Sequence, residues 1–271
     1  MYLRPNSVQD ACAALASRRL TLLAGGTDHY ASRVGRSTDE DILDLTGIAA
    51  LRGIRKRGSG WRIGATTTWT DVIEARLPAA FDALKLAARE VGGHQVQNAG
   101  TVAGNLGNAS PAADGVPPLL ALDAQVELQS ARGSRTLPLA DFILGPRKTA
   151  RATDELITAI TIPPIDRSAR SSFLKLGARK YLLISIAMVA VVLETKGRKI
   201  SRARVAVGSC SPVARRLKRL EQDLTGKSLG RTEVKPFHLE ELKPIDDVRA
   251  SAEYRLDAAL TLVRRALEEL A

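Results

Sequence analysis

Aromatic residues make up only 4% of this 271-residue chain, and cysteine is rarer still, with Cys12 and Cys210 alone. Two cysteines so far apart in sequence build neither a disulfide framework nor an iron–sulfur cluster, so any cluster must be carried by another chain. No metal site is expected within this one. Long apolar runs are also missing. The longest, Tyr181 to Leu193, is too short to cross a bilayer as a helix, and MYLRPNSVQD at the start has no apolar signal core, so a chain without membrane span, in the cytoplasm, is expected. Acidic residues are in deficit, 29 against 40 basic ones, for a net charge of +11. That excess raises the question of nucleic acid. The basic stretches Arg52 to Gly58 and Gly197 to Arg204 contain no aromatic on which a base would stack, so they read as solvated turns and strand edges, and no nucleic-acid partner is expected.

What is present is glycine in one conspicuous place. From Gly92 to Leu128 the chain reads GGHQVQNAGTVAGNLGNASPAADGVPPLLALDAQVEL, with Gly100, Gly104 and Gly107 alternating with Thr101, Asn105, Asn108 and Ser110, and Asp114 closing the run. Glycine lets backbone approach a bound group closely, and small polar residues add donors where a phosphate or ribose oxygen would lie, so the segment is expected to be a ligand-binding loop. A second glycine loop, LLAGGTDH from Leu22 to His29, follows the strand-like Thr21 to Ala24. Two such loops well separated in sequence suggest a dinucleotide held between two subdomains. Asp28 is expected to shape its loop or cap the next helix, since its charge rules out a phosphate contact. His29 reads as a surface or packing residue rather than a catalytic one.

Around these loops, Ser7 with Asp10 reads as a capping box for a helix whose buried face holds Val8, Ala11, Cys12 and Leu15. Asp41 to Ile48 reads as a strand and turn, and WRIGATTTWTDV from Trp61 as a strand followed by a helix capped at Thr68 or Thr70, with Thr66 and Thr67 either facing a ligand or simply in sheet. Pro78 opens a helix that Gly92 and Gly93 stop. Leu119 to Leu128 and Asp154 to Pro163 read as buried strands. A polar linker follows Pro164, then a hairpin turning at Lys196 to Arg198 and two helices, the last with Leu256, Leu260, Val263, Leu267 and Leu270 at helical spacing.

LLAGGTD, followed by NAGTVAGNLGNASPAAD and LLALDA, with RP near the start, IGATTTWTDV and FLKLGARK, resembles the FAD-binding medium subunit of the molybdenum hydroxylases, the xanthine dehydrogenase and carbon monoxide dehydrogenase family. The resemblance implies an α+β chain: a two-lobed PCMH-type FAD-binding fold made of two α/β subdomains, 1–52 and 53–165, followed by a smaller α+β C-terminal domain, 171–271. It implies FAD held by Leu22, Leu23, Ala24, Gly25, Gly26, Thr27, Asp28 and His29 in the first loop. In the second, Gly100, Thr101, Val102, Ala103, Gly104, Asn105, Ser110 and Asp114 are the implied contacts, Asp114 holding a cofactor hydroxyl or a loop amide. Ile157 is implied beside the isoalloxazine ring and Lys175 near its polar edge, although by residue type the first is core and the second solvated. No catalytic residue acting on substrate is implied. The implied role is electron transfer from the [2Fe–2S] clusters of a small iron–sulfur subunit, fed by a large molybdopterin subunit, to NAD, oxygen or another acceptor, in a dimer of heterotrimers. A free-standing FAD oxidoreductase of the same fold and a scaffold subunit that has lost FAD are the alternatives. Two departures stand out: Ala103 where the family commonly has glycine, weakening binding if that position needs positive φ, and Gln97 where arginine is frequent, altering a surface or subunit contact.

Overall fold

The computed structural model describes residues 1–33, 39–178, 184–231 and 233–271. Arg179 and Lys180 of the FLKLGARK segment, and the first residues of the Tyr181 to Leu193 run, lie outside them.

The chain begins with three short parallel strands, Tyr2–Leu3, Ile42–Asp44 and Thr21–Leu23, hydrogen-bonded in that order. The helix Val8–Ser17 connects the outer two, and it starts where expected because the Ser7 hydroxyl accepts the Asp10 amide. Ala11, Cys12 and Leu15 form its buried face. Next comes a five-stranded antiparallel sheet in the order Ile54–Arg57, Gly60–Gly64, Leu156–Ile162, Gln125–Ser130, Gly133–Pro138. The basic strand Ile54–Arg57 is an edge, as its charge demands. Thr68 caps the helix Trp69–Glu74 in a reciprocal box with Asp71. The helix Asp82–Glu90 packs against Trp69–Glu74 and leads into the glycine-rich segment.

The last sheet orders Arg170–Leu176, Ala187–Lys196, Lys199–Gly208 and Arg215–Arg216, all antiparallel. Its central strand explains the longest apolar run. Ala187, Val189, Val191 and Leu193 face one core with the helix Ala252–Glu268, while Met188, Ala190 and Val192 face a second core that also holds Leu43, Ile63, Trp69 and Leu128. A strand buried on both faces has no polar alternation. On the last helix the packed stripe is Ala259, Leu262, Val263, Ala266 and Leu267; Leu256 and Leu260 are only partly buried.

Three expectations are corrected here. The segment Leu119 to Leu128 is not one strand: Val116–Ala121 is helical, with Pro117 and Pro118 fixing φ in its first turn, and the strand begins only at Gln125. The glycine run is not a loop but three short helices, His94–Ala99, Val102–Asn108 and Val116–Ala121. Within Gly197 to Arg204, Arg204 is buried rather than solvated: it bonds Glu194 at 2.6 Å and lies 3.6 Å from Asp123, which Arg202 and Arg216 also bind at 2.9 and 2.7 Å.

Both cysteines are buried, and burial pushes the Cys210 thiol up to about 12 and raises that of Cys12. Since the thiolate is the reactive form, a disulfide reagent added to the folded chain should titrate no thiol within minutes and two after denaturation. A fast-reacting native thiol would contradict the burial.

Candidate functional site

The two glycine segments, far apart in sequence, touch. A Cβ on Gly25 would lie 1.9 Å from the Ala99 carbonyl oxygen and 2.8 Å from Gly100 Cα, so the close approach requires glycine. Gly26 has φ +66, and the Tyr30 ring covers it. Across the contact, a Cβ on Gly100 would sit 3.4 Å from both Thr27 Oγ1 and Trp69 Cδ1. The Gly100 carbonyl accepts the Trp69 amide at 3.2 Å, and the Thr67 carbonyl accepts the Val102 amide at 3.0 Å, tying the second segment to the antiparallel sheet. Thr66 and Thr67 lie just beyond the strand Gly60–Gly64 rather than in the sheet, and Thr67 serves as the anchor.

Thr101 caps the helix Val102–Asn108 by accepting the Gly104 amide at 3.0 Å. Glycine is a poor helix former, yet Gly104 and Gly107 recur one turn apart on this helix's exposed side, leaving bare backbone there. Ile157, 7% exposed, closes one end: its Cδ1 lies 3.6 Å from where a Gly107 Cβ would be. Val102 and Ala103 turn the other way into the core. Ala103 is helical and absent from the residues with positive φ, so its methyl meets no backbone strain. Gln97 is not a surface contact either. It is buried, and its amide donates to the Arg89 carbonyl at 3.0 Å, closing the end of the preceding helix.

The charged residues find partners that spacing could not indicate. Among the described residues Asp28 neither caps a helix nor accepts loop amides; its carboxylate binds Arg147 at 2.6 Å, and Arg147 also reaches the Asn108 side chain. His29 packs edge-on against Tyr30 with its Nε2 4.0 Å from Glu40. Ser110 Oγ accepts the Ala112 amide at 3.3 Å. Asp114 is buried, and both its oxygens are engaged, by Lys175 Nζ at 2.8 Å and Ser185 Oγ at 2.6 Å. Burial raises the Asp114 carboxyl above its ordinary range, opposed by the Lys175 charge and the hydrogen bonds from Lys175 and Ser185. Thus Asp114 and Lys175 meet each other, with the Lys175 ammonium also 3.4 Å from the Glu90 carbonyl.

Leu22, Leu23 and Ala24 lead into the first loop, with Leu22 and Leu23 packed towards the interior. Gly25 to Asp28 thus meet the segment Gly100 to Gly107, where Thr27, Asp28, Gly104 and Gly107 are exposed and Gly100, Thr101 and Ile157 are buried behind them. Does this surface suit an anionic dinucleotide? Among the described residues the amides of Gly26, Thr27 and Asp28 donate to no backbone carbonyl, and Asn105 Oδ1 is buried with no hydrogen-bond partner. The spare amides suit a ligand with phosphates, while the orphaned Asn105 Oδ1 lies on the inner side, where a Cβ on Gly115 would come within 2.9 Å of it. Among the described residues, no three His, Cys, Asp or Glu are grouped to hold a metal, and no helix is long and apolar enough to cross a membrane.

A parallel α/β unit and an antiparallel unit facing each other across two glycine segments define a flavoprotein of the two-lobed FAD-binding type. The chain belongs to the FAD-binding subunit family of the molybdenum hydroxylases: residues 1–165 match the FAD binding domain in molybdopterin dehydrogenase, and residues 172–270 the CO dehydrogenase flavoprotein C-terminal domain. It is 31% identical to the carbon monoxide dehydrogenase medium chain of Hydrogenophaga pseudoflava, over 98% of this chain and 95% of that one. It is also 31% identical to the nicotine 6-hydroxylase medium subunit of Paenarthrobacter nicotinovorans, over 99% and 96%. Among solved structures, the reconstituted CO dehydrogenase from Oligotropha carboxidovorans superposes with a TM-score of 0.93 at 30% identity, covering 98% of this chain and 96% of that one. This is an oxidoreductase subunit.

Proposed function

We propose that this chain is the electron-relay subunit of a molybdenum hydroxylase, holding FAD non-covalently in the groove between its two glycine segments. The observation that carries the reading is the contact of Gly25 with Ala99 and Gly100, which brings the exposed glycine backbone of the second segment beside a first loop whose Gly26, Thr27 and Asp28 amides donate to no backbone carbonyl among the described residues. Loop amides bind a pyrophosphate without a basic side chain. The exposed backbone at Gly104 and Gly107 lets the cofactor lie close, Ile157 walls the isoalloxazine ring, and Lys175, steadied by Asp114, supplies positive charge near its polar edge. FAD supplies the redox chemistry; the chain binds and orients it. In this reading the chain takes electrons from the two [2Fe–2S] clusters of a small partner subunit, downstream of a large molybdopterin subunit, and delivers them to NAD, oxygen or another acceptor. The complex is a cytoplasmic dimer of heterotrimers, and the basic excess of the chain speeds its docking.

The test combines two measurements. Acid precipitation of the purified yellow chain should leave all flavin in the supernatant. Anaerobic mixing with purines, aldehydes or N-heterocycles should leave the flavin of the isolated chain oxidised, and adding the two partner subunits with their substrate should bleach it. Rapid bleaching without partners would favour a self-contained oxidase instead.

A further inference from the structure

Arg147 lies in the turn joining the short strands Ile143–Gly145 and Lys148–Thr149, and it links three separate segments. Its own amide donates to the Ala109 carbonyl at 2.8 Å, at the end of the glycine helix. Its guanidinium donates to Asp28 of the first glycine loop at 2.6 Å and to the Asn108 side chain. Arg147 in this turn has φ 57, and Ala109, the C-cap of the helix beneath it, φ 47. Left-handed backbone at a residue with a side chain is strained, and glycine would remove the strain. The ion pair formed in exchange contributes little to the fold: the Arg147 and Asp28 side chains are 55% and 53% exposed, and exposed pairs are worth about 0–1 kcal/mol. Strain retained for a weak, solvent-facing bridge points to a role outside folding.

The place of the bridge says what that role is. The first loop, Ala24 to Asp28, and the second segment, Ala99 to Asn108, contain no lysine or arginine. Arg147 brings a cation to the rim of both and ties the one to the other. We infer that Arg147 is a retention clasp for the flavin, a positioning residue that holds the two glycine segments closed over the bound anionic cofactor through Asp28 and Asn108. The inference rests on the flavin reading above. Opening the groove breaks the bridge, so the clasp acts on the rate at which cofactor leaves. Because the bridge is solvent-exposed, salt weakens it.

The experiment measures FAD release by the rise of free-flavin fluorescence after dilution of the loaded chain, alongside the melting temperature of the flavin-free chain. Arg147→Gly removes side chain and strain together, so the flavin-free variant should melt at or slightly above the wild-type temperature. Its FAD should leave about fivefold faster, the scale of one exposed ion pair. Arg147→Lys should recover part of the retention at low salt. Raising NaCl to about 0.5 M should accelerate release from wild type towards the Arg147→Gly rate and leave the variant unchanged. Adding Asp28→Asn to Arg147→Gly should produce no further loss. Release from Arg147→Gly at the wild-type rate, or faster release accompanied by a lowered melting temperature of the flavin-free chain, would overturn the clasp. A wild-type chain that binds no FAD would sink the flavin reading, and the clasp with it.

Discussion

Gly25→Ala is expected to leave the purified chain without bound flavin. The added methyl carbon would lie 1.9 Å from the Ala99 carbonyl oxygen, 2.5 Å from its carbon and 2.8 Å from Gly100 Cα, all of them backbone atoms with no rotamer to yield. One of the two segments has to move away. Overpacking of this kind costs about 1–3 kcal/mol, and here the displacement separates the very surfaces that would hold the cofactor, so a loss of affinity of at least about tenfold is expected. Gly145→Ala is the control, because nothing lies within 4 Å of its added carbon. The flavin-to-protein absorbance ratio and an FAD titration of both variants read the result. Equal affinity in Gly25→Ala and wild type would place the cofactor elsewhere than between the glycine segments.

Lys175→Met is expected to destabilise the chain by about 3–5 kcal/mol, because it strands the buried Asp114 carboxylate without its counter-charge. The sign of its pH dependence follows from burial. With the lysine gone, the largest influence on Asp114 is desolvation, which raises the folded carboxyl above its unfolded value. A raised folded value means that stability is fully present below the unfolded carboxylate range and lost as pH rises through the folded value. The deficit of Lys175→Met should therefore be small in acid and grow towards alkaline pH. The double variant Asp114→Asn, Lys175→Met removes both charges and should recover most of the loss, since no buried ion remains. Denaturant melts of the three chains at several pH values check it. A deficit independent of pH, undiminished in the double variant, would mean that lost packing rather than charge is responsible.

Where local chemistry governs, the sequence was legible. Ser7 with Asp10, Pro163 after a buried strand and the turn at Lys196 to Arg198 each mark a boundary that the structure places where the residues put it, and of Thr68 and Thr70 it is Thr68 that caps. The glycine-rich segment was misread as loop for a physical reason. Glycine weakens an isolated helix by about 1 kcal/mol per residue, but here the helix is fixed by Thr101 at its start and by Val102, Ala103 and Leu106 in the core. A Cβ at Gly104 would press on Thr101 Oγ1 at 2.7 Å, whereas one at Gly107 would meet only Ile157 Cδ1 at 3.6 Å, an ordinary contact. The charged partners were beyond reach for another reason. Arg147 and Asp28 are 119 residues apart, Asp114 and Lys175 61, and neither pair leaves a trace in local spacing.

The strand Ala187–Lys196, with one face in each core, has a consequence for how the molecule comes apart. Neither half owns it. Melting the last helix uncovers Val189 and Val191, and the strand they belong to also carries Met188, Ala190 and Val192 into the other core, so damage at one end is felt at the other. Calorimetry should accordingly record one heat-absorption peak rather than two. A fragment ending at residue 165 would lack the apolar wall that strand provides, and would be left with a sticky, unfinished interior.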